Sequence, residues 1–225
     1  MKSRTQVLKL RRGSTNASII RAAARAIKHG GVAVFPTDTV YGIGANALDA
    51  SACAKVYGIK GRERGKALIV LVSDMRMLGK VASIPKRHVA ALEKIWPAPL
   101  TVIARAKAPV PGIIKAGDKT VAVRIPDSKI VLELIKAANV PIVAPSANPS
   151  GIEPAKTGAQ AKRYFDGKVD VILDSGRSMR TMPSTIIRLR DMRILRQGAF
   201  PKKQLDRAFG KPQRATTSSR RRRRV

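Results

Sequence analysis

One cysteine, two histidines and fourteen acidic residues in 225 positions leave little material for several kinds of chemistry. Cys53 stands alone, which excludes an intramolecular disulfide and a thiolate-rich zinc site. His29 and His88 are far apart in the chain, and neither has a nucleophile or metal-ligand pattern around it, so a His-based triad is not expected. Aromatic residues make up 4% of the chain, too few for a base-stacking platform. The longest unbroken apolar run, Ala67 to Val72, is far too short to span a membrane. The charged start, Met1-Lys2-Ser3-Arg4, has no apolar signal stretch. A soluble, cytoplasmic protein without a membrane partner is the expectation.

Positive charge, by contrast, is abundant. Forty-five Lys and Arg against the fourteen acids give a net charge of +31. Residues 202–225 hold ten of the basic residues and one acid, Asp206, so the other 201 positions still carry +22. Such a field opposes compaction and favours polyanions, nucleic acid first among them. With 44% hydrophobic residues the chain nevertheless has enough apolar side chains for a folded core.

The hydrophobic pattern alternates between helical and strand periods. An edge strand is expected within 1–12, followed by a helix to His29 that Ser14-Thr15-Asn16 would cap and Gly30-Gly31 would stop. Strands are expected at 32–35, 68–72, 100–105, 120–125, 141–144, 169–173, 184–190 and 192–196. Helices are expected at 50–58, 86–96, 128–138 and 155–165. The segments 36–42 and 145–151 read as polar loops rich in hydroxyls and breakers. No strict βαβ period emerges, which predicts a mixed α/β sheet in a single domain over 1–205. A basic tail, 206–225, follows, and its end from 211 is low in complexity and expected to be disordered. Cys53, Val56 and Tyr57 share a helix face, so the thiol is expected in the core. Trp96, before Pro97, is expected to anchor it too.

Two nucleotide-binding signatures come close and fail. Gly61 to Lys66 is one residue short of a P-loop, has Ala67 where a hydroxyl should hold magnesium, and runs from helix to strand instead of the reverse. Gly42-Ile43-Gly44-Ala45-Asn46-Ala47 fits a loose dinucleotide fingerprint, but a polar loop separates it from the strand before it and no acid ends a second strand at the right distance.

Other stretches form an ordered set. They are Phe35-Pro36-Thr37-Asp38-Thr39-Val40-Tyr41-Gly42, Gly44 to Asp49, Lys60-Gly61-Arg62 with Leu68-Ile69-Val70, Trp96-Pro97-Ala98-Pro99-Leu100-Thr101, Thr120 to Pro126, Ala144 to Gly151, Val169 to Asp174, Pro183-Ser184-Thr185 and Ile194-Leu195-Arg196. In this order they resemble the YrdC-like L-threonylcarbamoyladenylate synthases, in their short, single-domain form, over roughly residues 15–205. The chain departs from the pattern at Glu63, Ala67, Ala98 and Gln197, positions that affect loop stiffness more than ligand contacts.

The resemblance implies an α/β domain with a twisted, mixed sheet flanked by helices, its concave face basic. It implies a nucleotidyltransferase that joins L-threonine, bicarbonate and ATP into threonylcarbamoyl-AMP and releases pyrophosphate. By the same resemblance, Lys60 and Arg62 are catalytic and grip phosphates, while Thr120, Ser146, Asn148 and Arg196 also contact ATP. Thr37, Arg124, Ala144 and Ser184 would hold threonine, with Arg124 pairing its carboxylate bidentately. Magnesium would come with ATP and not from a protein cage. The implied partners are tRNA and a downstream tRNA threonylcarbamoyl transferase. A non-catalytic double-stranded-RNA or tRNA binder on the same scaffold is the alternative that charge alone favours. A carbamoyl-transferring domain of a larger hydrogenase-maturation protein is a third reading. The hydroxyl set Thr37, Thr120, Ser146 and Ser184 favours the synthase, since phosphate-backbone binding has no use for it.

Overall fold

The computed structural model describes residues 4–11, 13–115, 119–178 and 182–210. The expected disorder from 211 lies outside them. Eleven strands form one mixed sheet among the described residues: β1 (Gln6–Lys9), β2 (Ala33–Phe35), β3 (Gly42–Asn46), β4 (Ile69–Leu71), β5 (Ala82–Ser83), β6 (Leu100–Ala106), β7 (Thr120–Arg124), β8 (Ile142–Val143), β9 (Val171–Asp174), β10 (Thr185–Arg188) and β11 (Arg193–Arg196). Their order is β1-β9-β2-β3-β8-β4-β7-β6-β10-β11, with β5 beside β6. Parallel pairs such as β4–β7 and β6–β10 alternate with antiparallel ones such as β6–β7 and β3–β8, as a mixed sheet requires. The first strand is indeed an edge.

Eight helices accompany the sheet among the described residues: α1 (Ala17–Lys28), α2 (Ala50–Lys60), α3 (Met75–Val81), α4 (Lys86–Ile95), α5 (Gly112–Lys115), α6 (Lys129–Ala138), α7 (Gly158–Phe165) and α8 (Lys202–Phe209). In α1 the residues Ile20, Ala23, Ala24 and Ile27 recur at helical spacing and are buried, so one apolar stripe seats the helix. Asn16 precedes α1 but does not cap it. Its amide instead closes the loop before the helix, accepting from the Arg11 N–H and donating to the carbonyls of Arg11 and Ser14. Asp49 does cap α2, accepting from the N–H groups of Ser51 and Ala52. Gly61 then ends α2 in the left-handed region, at φ 60°.

Cys53, Val56 and Tyr57 are all buried, and burial, with Asp49 nearby, pushes the Cys53 thiol up to about 12. It is a core thiol. Trp96 is buried as well, its indole N–H donating to the Leu100 carbonyl.

Five elements differ from the sequence reading. Gly42–Asn46 is a strand in the middle of the sheet, which also disposes of the glycine fingerprint as a phosphate turn. The short helices α3 and α5 and the two-residue strand β5 have no counterpart in the sequence reading. Helix α8 runs through the division expected at 205/206, with Leu205 buried and Phe209 edge-on to the His88 ring at 5.6 Å between centroids. Arg190, expected on a strand, sits in the exposed turn between β10 and β11.

Candidate active site

Strand parity places the site. On β4, Ile69 and Leu71 face the same side, and in register beside them on β7 lie Ala122 and Arg124. Leu71, Ile69 and Arg124 line a cavity of about 220 Å³ over that face. The loop Pro36–Tyr41 lines it through Thr37, Thr39 and Tyr41, and Ala144 and Ser146 line it beside Gly42. Pro183, Ser184 and Arg196 complete its lining.

Arg124 is the chemical centre of this cavity. It is 4% exposed, and its terminal nitrogens donate to the Asp38 carboxylate at 2.9 and 3.4 Å, with Asp38 itself 3% exposed. Burial pulls the guanidinium below its ordinary pKa, and Asp38 opposes that pull. Its Nε is the one buried side-chain nitrogen or oxygen without a partner among the described residues. An unmet buried donor of this kind costs about 1–3 kcal/mol, a cost that an incoming acceptor removes.

The remaining polar groups are held from behind. The Thr37 hydroxyl donates to the Val40 carbonyl at 2.7 Å and accepts from the Thr39 N–H at 3.1 Å. Its single proton is thereby used, so Thr39 is the donor in the 3.0 Å contact between the two hydroxyls. Ser184 Oγ sits 2.8 Å from Thr101 Oγ1, and Arg196 donates to the Ser184 carbonyl from Nε and Nη2 at 3.1 and 2.9 Å. Arg196 is at the exposed rim. Partial burial and then the charge of Arg124 lower its pKa, so the two cations feel each other.

A strap keeps this wall in place. Thr185 is fully buried and its hydroxyl accepts from the N–H groups of Gly198 and Phe200 while donating to the Phe200 carbonyl. Gly198 lies so close to Pro183 and Ser184 that a methyl there would overlap their backbone. Gln197, which departs from the family pattern, donates its amide to the carbonyls of Gly198 and Phe200 and so ties the same turn.

Lys60 and Asn148 sit behind the cavity wall. Lys60 Nζ donates to the carbonyls of Ser146 and Asn148 at 2.5 and 2.6 Å and contacts Asn148 Oδ1 at 3.3 Å. Burial, helped by Arg62, lowers its pKa to about 8. Ser146 Oγ donates to Asn148 Oδ1 at 2.6 Å, and the Asn148 amide binds the carbonyls of Pro149 and Ile152. Lys60 therefore braces the turn that carries Ser146.

Of the residues picked from the sequence, Thr37, Arg124, Ala144, Ser146, Ser184 and Arg196 share the cavity. Lys60 and Asn148 join it through Ser146. Two do not arrive. Arg62 donates to the Lys66 and Ala67 carbonyls at the end of α2. Thr120 starts β7, roughly 13 Å along the strand from Arg124 at about 3.3 Å per residue, because it lies four positions before it. The sequence reading missed Asp38, Thr39, Thr101 and Thr185. Asp38 had a signal, an acid between two threonines in an acid-poor chain.

Comparison with known proteins agrees with this geometry. Residues 25–198 match the Sua5/YciO/YrdC family model, described as "Telomere recombination". The chain is 38% identical over 195 residues to the threonylcarbamoyl-AMP synthase of Pyrococcus abyssi, covering 85% of this chain and 57% of that protein. It is 36% identical over 202 residues to the Bacillus subtilis threonylcarbamoyl-AMP synthase, covering 88% and 58%. The crystal structure of P. abyssi Sua5 complexed with L-threonine superposes with a TM-score of 0.86 at 34% identity, covering 92% of this chain and 61% of that one. The chain thus spans less than two thirds of the length of these relatives.

Proposed function

This chain belongs to the Sua5/YciO/YrdC family, and on that premise we propose that it is a nucleotidyltransferase making threonylcarbamoyl-AMP from L-threonine, bicarbonate and ATP. The observation that carries the reading is the buried Arg124 guanidinium with a donor unpaired, in a cavity lined by both Arg124 and Arg196, where the one carboxylate nearby, Asp38, is paired with Arg124. Two cations against one anion suit a small molecule that brings a carboxylate. Threonine does so.

In the reaction, the threonine amine attacks the carbon of carbon dioxide derived from bicarbonate, losing a proton to give a carbamate. A carbamate oxygen then attacks the α-phosphorus of ATP. The bond to the β-phosphate bridging oxygen breaks, and pyrophosphate leaves. Negative charge grows on phosphate oxygens in this step, so aligned donors lower its barrier. Arg124 holds the threonine carboxylate, with Thr37, Ala144 and Ser184 shaping the pocket around it. Ser146, Asn148 and Arg196 line the approach of the nucleotide, whose magnesium arrives with it. For Lys60 to grip a phosphate, it would exchange a turn carbonyl for a phosphate oxygen. Arg62 would likewise release its carbonyls, and Thr120, outside the cavity at the start of β7, would meet only a part of the nucleotide that extends along the strand beyond it. The product would feed threonylcarbamoylation of tRNA by a downstream transferase, in the cytoplasm.

Pyrophosphate release tests the reading. Turnover should require threonine and bicarbonate together, with neither sufficient alone. Equal ATP turnover without threonine would refute it. A folded protein that neither turns over nor binds threonine in calorimetry would favour the non-catalytic RNA-binding alternative.

A further inference from the structure

A planar guanidinium has two edges that can grip a carboxylate: the terminal pair of nitrogens, and the side pair made by Nε and Nη2. In Arg124 the terminal edge is already occupied. Nη2 and Nη1 donate to Asp38 Oδ1 and Oδ2 at 2.9 and 3.4 Å, both side chains being almost wholly buried. On the other edge, Nε has no partner at all. Arg124 lines the cavity while Asp38 does not. Asp38 thus stands behind the cation, and its loop is itself fastened by the hydroxyl of Thr37 to Val40 and Thr39.

We infer that Asp38 is a positioning residue, which locks Arg124 by its terminal edge so that the Nε side edge is presented to the carboxylate of the amino-acid substrate. The inference rests on the synthase reading above and adds to it a residue and an edge. It also fixes the charge of the site. With Asp38 in place, the pair is neutral and Arg196 supplies the remaining positive charge, so an anionic substrate group completes the balance. Without Asp38, the site is more cationic but the guanidinium is free to rotate about its long stem. These two consequences act on threonine in opposite directions. Charge alone would tighten carboxylate binding, whereas loss of orientation weakens it.

Asp38→Asn separates them, because it removes the charge and keeps the size. Threonine affinity would be read by calorimetry, and KM for threonine and for ATP by pyrophosphate release. The expected result is a rise of about tenfold or more in the threonine dissociation constant and KM, with KM for ATP changed by less than about twofold. Asp38→Glu, which keeps the carboxylate but displaces it, should recover part of that loss, and it supplies the reading if the Asn variant does not fold. In the wild-type protein, one slowly exchanging arginine Nε–H resonance should shift on adding L-threonine, and it should vanish in Arg124→Lys. Unchanged or tighter threonine binding in Asp38→Asn, or no Nε–H shift at threonine saturation, would overturn the inference. Wild-type protein that binds no threonine would instead overturn the synthase reading, and this inference with it.

Discussion

Lys60 carries a charge into a place where it is 3% exposed, and its three protons are used on the turn at Ser146 and Asn148. Its pKa falls to about 8 in the folded chain, against 10.5 for the ordinary side chain. Between those values the unfolded chain holds a proton that the folded chain has released, so stability rises with pH there. Wild-type protein should therefore gain stability relative to Lys60→Met as pH is raised from 8 to 10.5 in urea titrations. A flat difference would show that the ammonium is better solvated than its surroundings suggest. Thr185→Val gives a second residue-level test. It leaves the Gly198 and Phe200 N–H groups without their acceptor, so unfolding should become easier by about 2 kcal/mol or more, and Arg196 should lose its fixed place on Ser184. Arg124, Thr37, Ser146 and Ser184 were legible in the sequence because ordered motifs mark where a polar group is needed. Motifs do not say what that group touches. Hence the motifs assign Lys60 to phosphate without showing that its ammonium also holds two carbonyls, and they assign nothing to Asp38, which holds Arg124.

Glycine tests the elements. Gly198→Ala puts a methyl into the backbone of Pro183 and Ser184, so the variant should lose several kcal/mol of stability or fail to fold, since backbone cannot move aside cheaply. Gly58→Ala is the counterpart. That position lies inside α2 with nothing within 4 Å of the new carbon, and the change should add about 0.5–1 kcal/mol by removing glycine's entropy cost in a helix. Melting temperatures should move in opposite directions. The long amphipathic helices α1 and α6 were readable because four buried residues recur at helical spacing in each. Strand β3 was not, because its sequence, Gly-Ile-Gly-Ala-Asn, has the composition of a loop. Gly44 is there because a side chain would overlap the Val143 carbonyl on β8, a neighbour almost a hundred residues away. Helix α8 was hidden by its charge: Leu205 is its one buried residue among Lys, Arg and Asp.

At the scale of the whole molecule, charge and site answer different questions. A net charge of +31 gives a long-range pull on polyanions, and the five arginines 220–224 add to it from beyond the described residues. Truncation after Thr217 should weaken RNA binding and flatten the slope of log K against log salt by roughly 2–3 units, at about 0.7 per phosphate contact on a single strand. Threonine-dependent pyrophosphate release should be unchanged, because the cavity is built from β4, β7, the Pro36–Tyr41 loop and the Pro183–Arg196 wall. An unchanged salt slope would leave the tail without a role in RNA binding. What that cavity makes is read from the product itself. The protein would be incubated with ATP, L-threonine and carbon-13 bicarbonate, and the nucleotides analysed by mass spectrometry. A threonylcarbamoyl adenylate carrying the label in its carbamoyl carbon should form with the wild type and be lost in Arg124→Ala. An unlabelled adenylate, or labelled product at the same rate from Arg124→Ala, would contradict the synthase reading.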